Sequence, residues 1–547
     1  MESSSYVESY QQYLQQVCPT LSPGTVSRIE TSLHQTDWNT PRSPVDYNNC
    51  GVIALIEAES CPVPEMRGMY LDLAIAAFKQ GINDDLICAA HLAILYSLIG
   101  ATQEATQLAF STLITFSTLI KGLPLFRNPP ETGTPWLIYL PELWQDRRFE
   151  GNSHPLTRIL ELENPHQQGV WMLLEVLWRS QLVFYGSLGL RFLQLATHLG
   201  SASAALNLRL GISHLLNAQE EGLVYLQWAN QQLPESAPIL HALYLAYQAF
   251  HQTEMAAFCL ARSRQVQANS ADQLTWRWST LSPESLFTYV PFETDLLLAV
   301  EPSLNSIVTS VLLAEGDWFE HEIEFWRRML QPGMSVIDVG ANVGVYTFSA
   351  ARRVGETGRV LAVEPFSHCV KYMQETCRIN HLPWVTVCRG AASDRDGTAR
   401  LSLHRASELN KIVAADEITE SEKFEDVLCF RLDSLMEREI ISQVDLLKID
   451  AEGHELQVLS GSEKILADYR PIILYENISD TETNGHLSVA EFLQQRQYEL
   501  FRYRPFIQDL IPIQTEEDSQ NNLNIIAVHS SKLANFMINS TPDSGEI

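Results

Sequence analysis

Apolar positions recur at helical spacing through residues 1–280, and strand-like alternation is scarce there. In 86–112, Leu92, Ala93 and Tyr96 share one helical face, Gly100 breaks the pattern, and Ala105 and Ala109 resume on a second helix. Small residues at such a seam let two antiparallel helices approach closely. The stretch 240–263 repeats the arrangement, with Leu243 and Tyr247 on one helix and Ala256 and Leu260 on the next. Pro234 stops the helix that precedes it, 220–232. Residues 123–141, rich in proline and aromatics, read as a loop or irregular insert. The texture changes near Ser282: 287–300 alternates as a strand, 320–330 is an amphipathic helix, and Gln331-Pro332-Gly333 is a turn. From there strands and helices alternate, which predicts a mostly parallel sheet with helices on both faces.

The spacing in the first half resembles the tetratricopeptide repeat, a helix–turn–helix unit of about 34 residues. Tyr244 stands where that repeat prefers a small residue, and the usual terminal proline is missing, so a plain helical bundle remains the alternative. The expected domains are an all-α repeat-like or bundle domain at 1–280, a lead-in strand and helix at 281–330, an α/β domain at 331–535 and a disordered polar tail at 536–547.

Net charge adds one restriction: at −29, the surface repels phosphates and anionic lipids, so nucleic acid is not an expected partner. Nine cysteines, with no C-x-x-C pair, argue against a disulfide framework and a zinc knuckle. Residues 1–16 have no basic start and no apolar core, so they do not read as a secretory signal. The longest apolar run, 89–101, is broken by His91 and Ser97 and is too short to span a bilayer. The expected compartment is the cytoplasm.

The candidate chemistry begins at 335–339, a short apolar strand followed by Gly340-Ala341-Asn342-Val343-Gly344 and a helix over 345–353. A glycine-rich strand-to-helix turn brings backbone close to a ligand and aims a helix N-terminus at it. The dinucleotide fingerprint G-x-G-x-x-G is not met, because Asn342 and Val345 stand at its second and third glycine positions. No Gly-Lys-Ser/Thr follows either, so the turn suits a ligand with a carboxylate and an amine rather than a diphosphate. A second strand, 359–364, ends in Glu364, 20 residues after Gly344. An acid there is placed to accept both hydroxyls of a ribose.

These residues, 338–344 (DVGANVG) and 362–365 (AVEP), together with 391–397 (AASDRDG), 447–455 (LKIDAEGHE) and 471–476 (PIILYE), resemble the FkbM family of S-adenosylmethionine-dependent methyltransferases. The resemblance covers roughly residues 315–529 and does not reach 1–280. It implies a class I (Rossmann-like) α/β fold with a mostly parallel seven-stranded sheet whose last strand is antiparallel. It implies S-adenosylmethionine as cofactor, with Asp338, Gly340, Ala341, Asn342 and Gly344 around its methionine part and Glu364 on its ribose. Ala391 and the turn through Asp394 would border the adenine, although Asp394 also fits a plain hairpin turn.

Asp450, Glu452, His454 and Glu455 crowd a strand end, where catalytic groups sit in this architecture. Methyl transfer needs an acceptor held in line and, for a hydroxyl, a group that removes its proton. Asp450 is placed to steer donor or acceptor, His454 is the candidate general base, and Glu476 reaches the same rim. Three alternatives stand beside these roles. Asp450 and Glu452 fit helix capping, and for Glu455 capping is the favoured account. Asp450, Glu452 and Glu476 could bind a divalent cation, which the spacing does not demand and which is not expected. The helical half could be an interaction scaffold, with a protein or peptide partner, beside a non-catalytic cofactor domain. Asp450-Ala451-Glu452-Gly453 stands where many N-methyltransferases carry (D/N)-P-P-(F/Y), which favours an oxygen acceptor. The resemblance implies hydroxyls on sugars, polyketides, peptides or related metabolites.

Overall fold

The computed structural model describes residues 3–533 except 62, 83–84, 121–135, 145–154, 163, 180–189, 191–203, 405–409, 414–422, 478–487, 507–508 and 516–521. The tail expected at 536–547 lies outside the described residues, as does most of the insert expected at 123–141. The chain forms two compact units, one built on residues 1–206 and the other on 207–541.

The first unit is helical: α1 (Ser3–Val17), α2 (Pro23–Gln35), α3 (Pro44–Ser60), α4 (Pro64–Gly81), α5 (Leu86–Leu98), α6 (Thr102–Ile120), α7 (Pro155–Glu161) and α8 (Pro165–Arg179). Local sequence fixes several starts. Ser43 and Asp46 form a capping box on α3, and the Asp85 carboxylate accepts from the amides of Ile87 and Cys88 on α5. The helix pair expected in 86–112 is α5 and α6, with Gly100 left-handed at φ 77° between them. The described end of the insert is an extended, fully buried run, Leu137, Ile138, Tyr139 and Leu140. Side chains take the place of a neighbouring strand. Asn48 donates to the Leu137 carbonyl (2.8 Å), Leu137 N–H donates to Asn49 (2.9 Å), Tyr139 N–H donates to His91 (3.0 Å) and Tyr13 donates to the Leu140 carbonyl (2.7 Å).

The second unit begins with α9 (Ala204–Leu216), α10 (Gly222–Gln232), α11 (Ala237–Ala249) and α12 (Thr253–Gln267). The helical repeat expected at 240–263 is the α11–α12 pair. His241 of α11 stacks on Trp278 and bonds the Thr288 hydroxyl (2.8 Å), tying these helices to the strand that starts at Thr288. The single strand expected over 287–300 is a hairpin, β1 (Thr288–Phe292) and β2 (Leu296–Val300), because the chain reverses at Glu293, which is left-handed at φ 53°. The outer edge of β2 is closed by side chains: Leu297 N–H donates to Asn380 (3.0 Å) and Ala299 N–H to Thr376 (2.9 Å).

Two further helices, α13 (Ile307–Glu315) and α14 (Glu322–Met329), lead into the main sheet. Its strands are β3 (Ser335–Val339), β4 (Arg359–Glu364), β5 (Val385–Arg389), β10 (Leu446–Ile449), β11 (Ile472–Glu476), β12 (Tyr498–Arg504), β13 (Asp509–Pro512) and β14 (Asn524–His529). Between them lie α15 (Val345–Val354), α16 (Ser367–Asn380), α17 (Leu432–Glu439), α18 (Glu455–Ser460) and α19 (Val489–Gln494). The order is β13-β12-β14-β11-β10-β3-β4-β5, parallel from β5 to β11, with β14 antiparallel to β11. This is the class I methyltransferase arrangement with its reversed last strand, plus an eighth strand, β13, added at the edge as a hairpin on β12. A second sheet of four strands, β6 (Ala391–Ala392), β7 (Gly397–Leu403), β8 (Lys411–Val413) and β9 (Lys423–Phe430), projects after β5.

The core on one face of the main sheet gathers Ile337, Val339, Leu447, Ile449, Ile473 and Tyr475. On the other face the period-2 alternation of β3 and β10 puts Asp338 and Lys448 side by side in register. None of the nine cysteines forms a disulfide. Among the described residues no helix is long and apolar enough to cross a membrane.

Candidate functional site

The carboxyl ends of β3, β4, β10 and β11 converge, and the turns after them build the site. After β3, Gly340, Asn342 and Gly344 are all left-handed, at φ 71°, 50° and 95°. A Cβ on Gly340 would stand 1.6 Å from the Asp450 carbonyl oxygen, so the turn after β3 and the turn after β10 touch backbone to backbone. The amides of Gly340 and Ala341 donate to the Val363 carbonyl (2.9 and 3.2 Å), and Gly344 N–H donates to the Ala341 carbonyl (2.8 Å). The turn is thus internally bonded, and Ala341 is buried within it.

Glu364, at the end of β4, is buried and accepts from the amides of Asn342 (2.8 Å) and Phe366 (2.7 Å). Burial pushes its carboxyl up to about 7, against the two amides that favour the ionised form. Asp338 is 1% exposed. Its Oδ2 accepts from the Thr347 hydroxyl (2.6 Å), and its buried Oδ1 has no hydrogen-bond partner. Burial raises it to about 6, against the pull of Lys448 and Thr347.

At the end of β10, Lys448 Nζ lies 2.7 Å from Asp450 Oδ2 and 4.6 Å from the centre of the Tyr346 ring. Burial works against its charge, but Asp450, Asp338 and Glu320 outweigh that and hold the ammonium above the ordinary lysine range. Glu320 comes from the lead-in segment. Its Oε2 accepts from the Tyr346 hydroxyl (2.6 Å) and from Asn524 (3.2 Å), and burial raises its carboxyl.

Asp450, Glu452 and Glu476 are brought together: one carboxylate oxygen of each lies within 4.8 Å of the others. These three could hold a divalent cation. Glu476 Oε2 is buried without a hydrogen-bond partner, and burial, Asp450 and Glu452 together push this carboxyl far above its ordinary range. Neither Asp450 nor Glu452 stands at the helix N-cap, which is His454. Glu455 instead folds back on the turn, accepting from the amides of Ala451 (2.9 Å) and Gly453 (3.1 Å). It holds the turn in which Glu452 and Gly453 are left-handed.

His454 has partners other than the three carboxylates. Its Nε2 is bonded to the Ser393 hydroxyl (3.0 Å), and its charged neighbours are Asp394 and Arg395. Burial lowers the imidazole below its ordinary value, with Asp394 opposing. Asp394 is exposed and accepts from Ser393 (3.2 Å), and Ala391 is buried in β6. The structure therefore gathers the residues singled out from sequence into two groups. Asp338, Glu364, Asp450, Glu452 and Glu476 ring the strand ends, and His454 joins Ser393 and Asp394 beside them.

Sequence reasoning missed Thr347, Tyr346, Ser393, Glu320 and Lys448. One of them carries a signal: Lys448 is a charged residue between Leu447 and Ile449 in an otherwise apolar central strand.

Residues 338–500 match the family model described as the methyltransferase FkbM domain. No curated protein matches the chain. Similar solved structures include a methyltransferase FkbM from Methylobacillus flagellatus KT, 15% identical over 41% of this chain and 54% of that one, TM-score 0.24. TYW2 from M. jannaschii, in complex with AdoMet, is 13% identical over 45% of this chain and 86% of that one, TM-score 0.24. Precorrin-6y C5,15-methyltransferase from Geobacter metallireducens GS-15 is 12% identical over 38% and 85%, TM-score 0.22. The chain spans about half the length of the Methylobacillus flagellatus protein.

Proposed function

We propose, from the premise that residues 338–500 form a methyltransferase FkbM domain acting with S-adenosylmethionine, that this chain methylates a hydroxyl oxygen of a small-molecule or glycan acceptor. The observation that carries the oxygen reading is the place of Glu476: a carboxyl at the end of β11 with one buried oxygen unpartnered, grouped with Asp450 and Glu452. A hydroxyl acceptor needs a positioned group within reach to take its proton.

The residues present fit the cofactor. The unpartnered Oδ1 of Asp338 suits its α-amino group, and the Glu364 carboxylate suits its ribose hydroxyls. The turn at Gly340, Ala341, Asn342 and Gly344 would hold the methionine part, and Ala391, Ser393, Asp394 and His454 would border the adenine. S-adenosylmethionine, when bound, would supply a methyl carbon activated by the sulfonium charge. Asp450 orients the acceptor hydroxyl, and Glu476 takes its proton. Sequence alone favours His454 as base; in this reading the Ser393 bond and the charged neighbours Asp394 and Arg395 support the adenine side for it. The division into a helical region at 1–280, a lead-in at 281–330 and a catalytic domain at 331–535 belongs to the same proposal, with the lead-in contributing Glu320.

A second reading has Asp450, Glu452 and Glu476 hold a divalent cation that activates the hydroxyl, on the strength of their 4.8 Å grouping. Calorimetric titration with S-adenosylmethionine and with NADH, alongside Glu364→Ala, tests the proposal. Micromolar binding of the methyl donor alone, lost in the variant, is expected. A folded protein that does not bind the donor overturns the methyltransferase reading. Loss of transfer on adding a chelator, restored by Mg²⁺, would select the cation reading over Glu476 as base.

A further inference from the structure

Lys448 is the unexpected residue of the site. It is 3% exposed in the central strand β10, where a buried ammonium is unfavourable unless acids compensate. Three do. Asp450 Oδ2 is 2.7 Å from its Nζ, Asp338 sits beside it in register on β3, and Glu320 reaches it from the lead-in. The Tyr346 ring covers it at 4.6 Å. Lys448 therefore stands between the acid with an open oxygen, Asp338, and the rim at Asp450. In the proposed methyltransferase site, the first would hold the donor's amino-acid end and the second would face the acceptor, so that the donor's cationic sulfur would lie in that span.

We infer that Lys448 is a specificity-determining residue whose positive charge sets the site's preference between the cationic donor S-adenosylmethionine and its neutral product S-adenosylhomocysteine. The inference rests on the methyltransferase reading. The acids around Lys448 attract a cation, and unopposed they would hold the ground-state donor tightly. A fixed ammonium beside them offsets that attraction. It also favours the transfer step, in which the sulfur loses its charge, because only interactions that improve towards the transition state raise the rate. A lysine serving packing alone would affect donor and product alike, since the two differ by one methyl group and one charge.

The test is the ratio of dissociation constants for S-adenosylmethionine and S-adenosylhomocysteine, measured calorimetrically on the full chain at fixed pH and low salt. Unit charges about 10 Å apart at ordinary protein screening correspond to roughly a tenfold effect. Lys448→Met should shift the ratio about tenfold towards the donor. Lys448→Arg, which keeps the charge, should leave the ratio near wild type. Asp450→Asn, which removes an acid from the same centre, should shift the ratio the other way, and it carries the test should Lys448→Met fail to fold. Equal weakening of both ligands in Lys448→Met, or a ratio unmoved in Asp450→Asn, overturns the inference while leaving the methyltransferase reading intact. A wild-type protein that binds neither ligand overturns that reading itself.

Discussion

Replacing Gly340 by alanine perturbs the site at its tightest backbone contact, and Gly333, in the Gln331-Pro332-Gly333 turn, supplies the control. Both glycines are left-handed, at φ 71° and 86°. Alanine in that region costs about 1–2 kcal/mol at either position. A Cβ at Gly333 meets only the Thr357 hydroxyl oxygen, at an ordinary 3.7 Å, whereas one at Gly340 would stand 1.6 Å from the Asp450 carbonyl oxygen. A relaxed carbon–oxygen contact is about twice that long, and the obstructing atom is backbone, so no rotamer change relieves it. Moving the end of β10 by more than an ångström adds about 1–3 kcal/mol by analogy with overpacked cores. Gly333→Ala should therefore lose about 1–2 kcal/mol and bind S-adenosylmethionine as wild type does. Gly340→Ala should lose about 2–5 kcal/mol and bind at least ~10-fold more weakly, since Asp450 and the turn move together. Urea unfolding midpoints of the two variants, followed with donor titrations, measure the difference. Equal midpoints with unchanged donor affinity in both would refute the claim that the two turns are locked against each other.

Glu364 makes the unliganded protein pH-sensitive. Its folded carboxyl is raised from 4.5 to about 7, so the folded state holds a proton that the unfolded state gives up. Its contribution is complete below pH 4.5 and fades as pH rises through 7, by roughly 3 kcal/mol. Wild type should lose that much more than Glu364→Gln between pH 4.5 and 8 in urea unfolding; parallel profiles would exclude it. His454→Ala should weaken donor binding and spare the rate at saturating donor, whereas Glu476→Gln should do the reverse, lowering turnover ~100-fold or more. Single-turnover transfer to any competent acceptor separates the two, and a large rate loss confined to His454→Ala would return the base to His454.

What was legible in the sequence is what a chain encodes locally. Gly340 to Gly344 after an apolar strand, the acid closing β4 and the run of acids after β10 all sit within a few residues of the pattern that reveals them. The helix breaks at Gly100 and between α11 and α12 are of the same kind. What escaped depends on pairing across the chain. Ser393 and His454 are 61 residues apart, and Glu320 and Asn524 are 204 apart, yet each pair is hydrogen-bonded. No periodicity announces such partners. The hairpin at Glu293 was hidden for a different reason. The stretch 287–300 alternates and so reads as one strand until a left-handed residue divides it into β1 and β2. β13 is short and pairs only with its hairpin neighbour at the sheet edge, where the pattern of a central strand is not required.

The left-handed residues and the perturbed acids occupy the same place, and that coincidence has a physical cause. Gly340, Asn342 and Gly344 follow β3, while Glu452 and Gly453 follow the adjacent β10. Such backbone costs of order 1 kcal/mol or more per non-glycine residue and persists only where the surroundings impose it. Here it aims carboxylates into a shared space. Asp338, Glu364 and Glu476 are each raised by burial, and two of the three keep a buried oxygen without a partner. A folded core would normally eliminate such groups, because an unsatisfied buried acceptor costs about 1–3 kcal/mol. A ligand that brings hydrogen-bond donors and positive charge satisfies them all at once. The unliganded site is thus held above its lowest energy by the rest of the fold, and binding the donor should recover part of that cost as affinity.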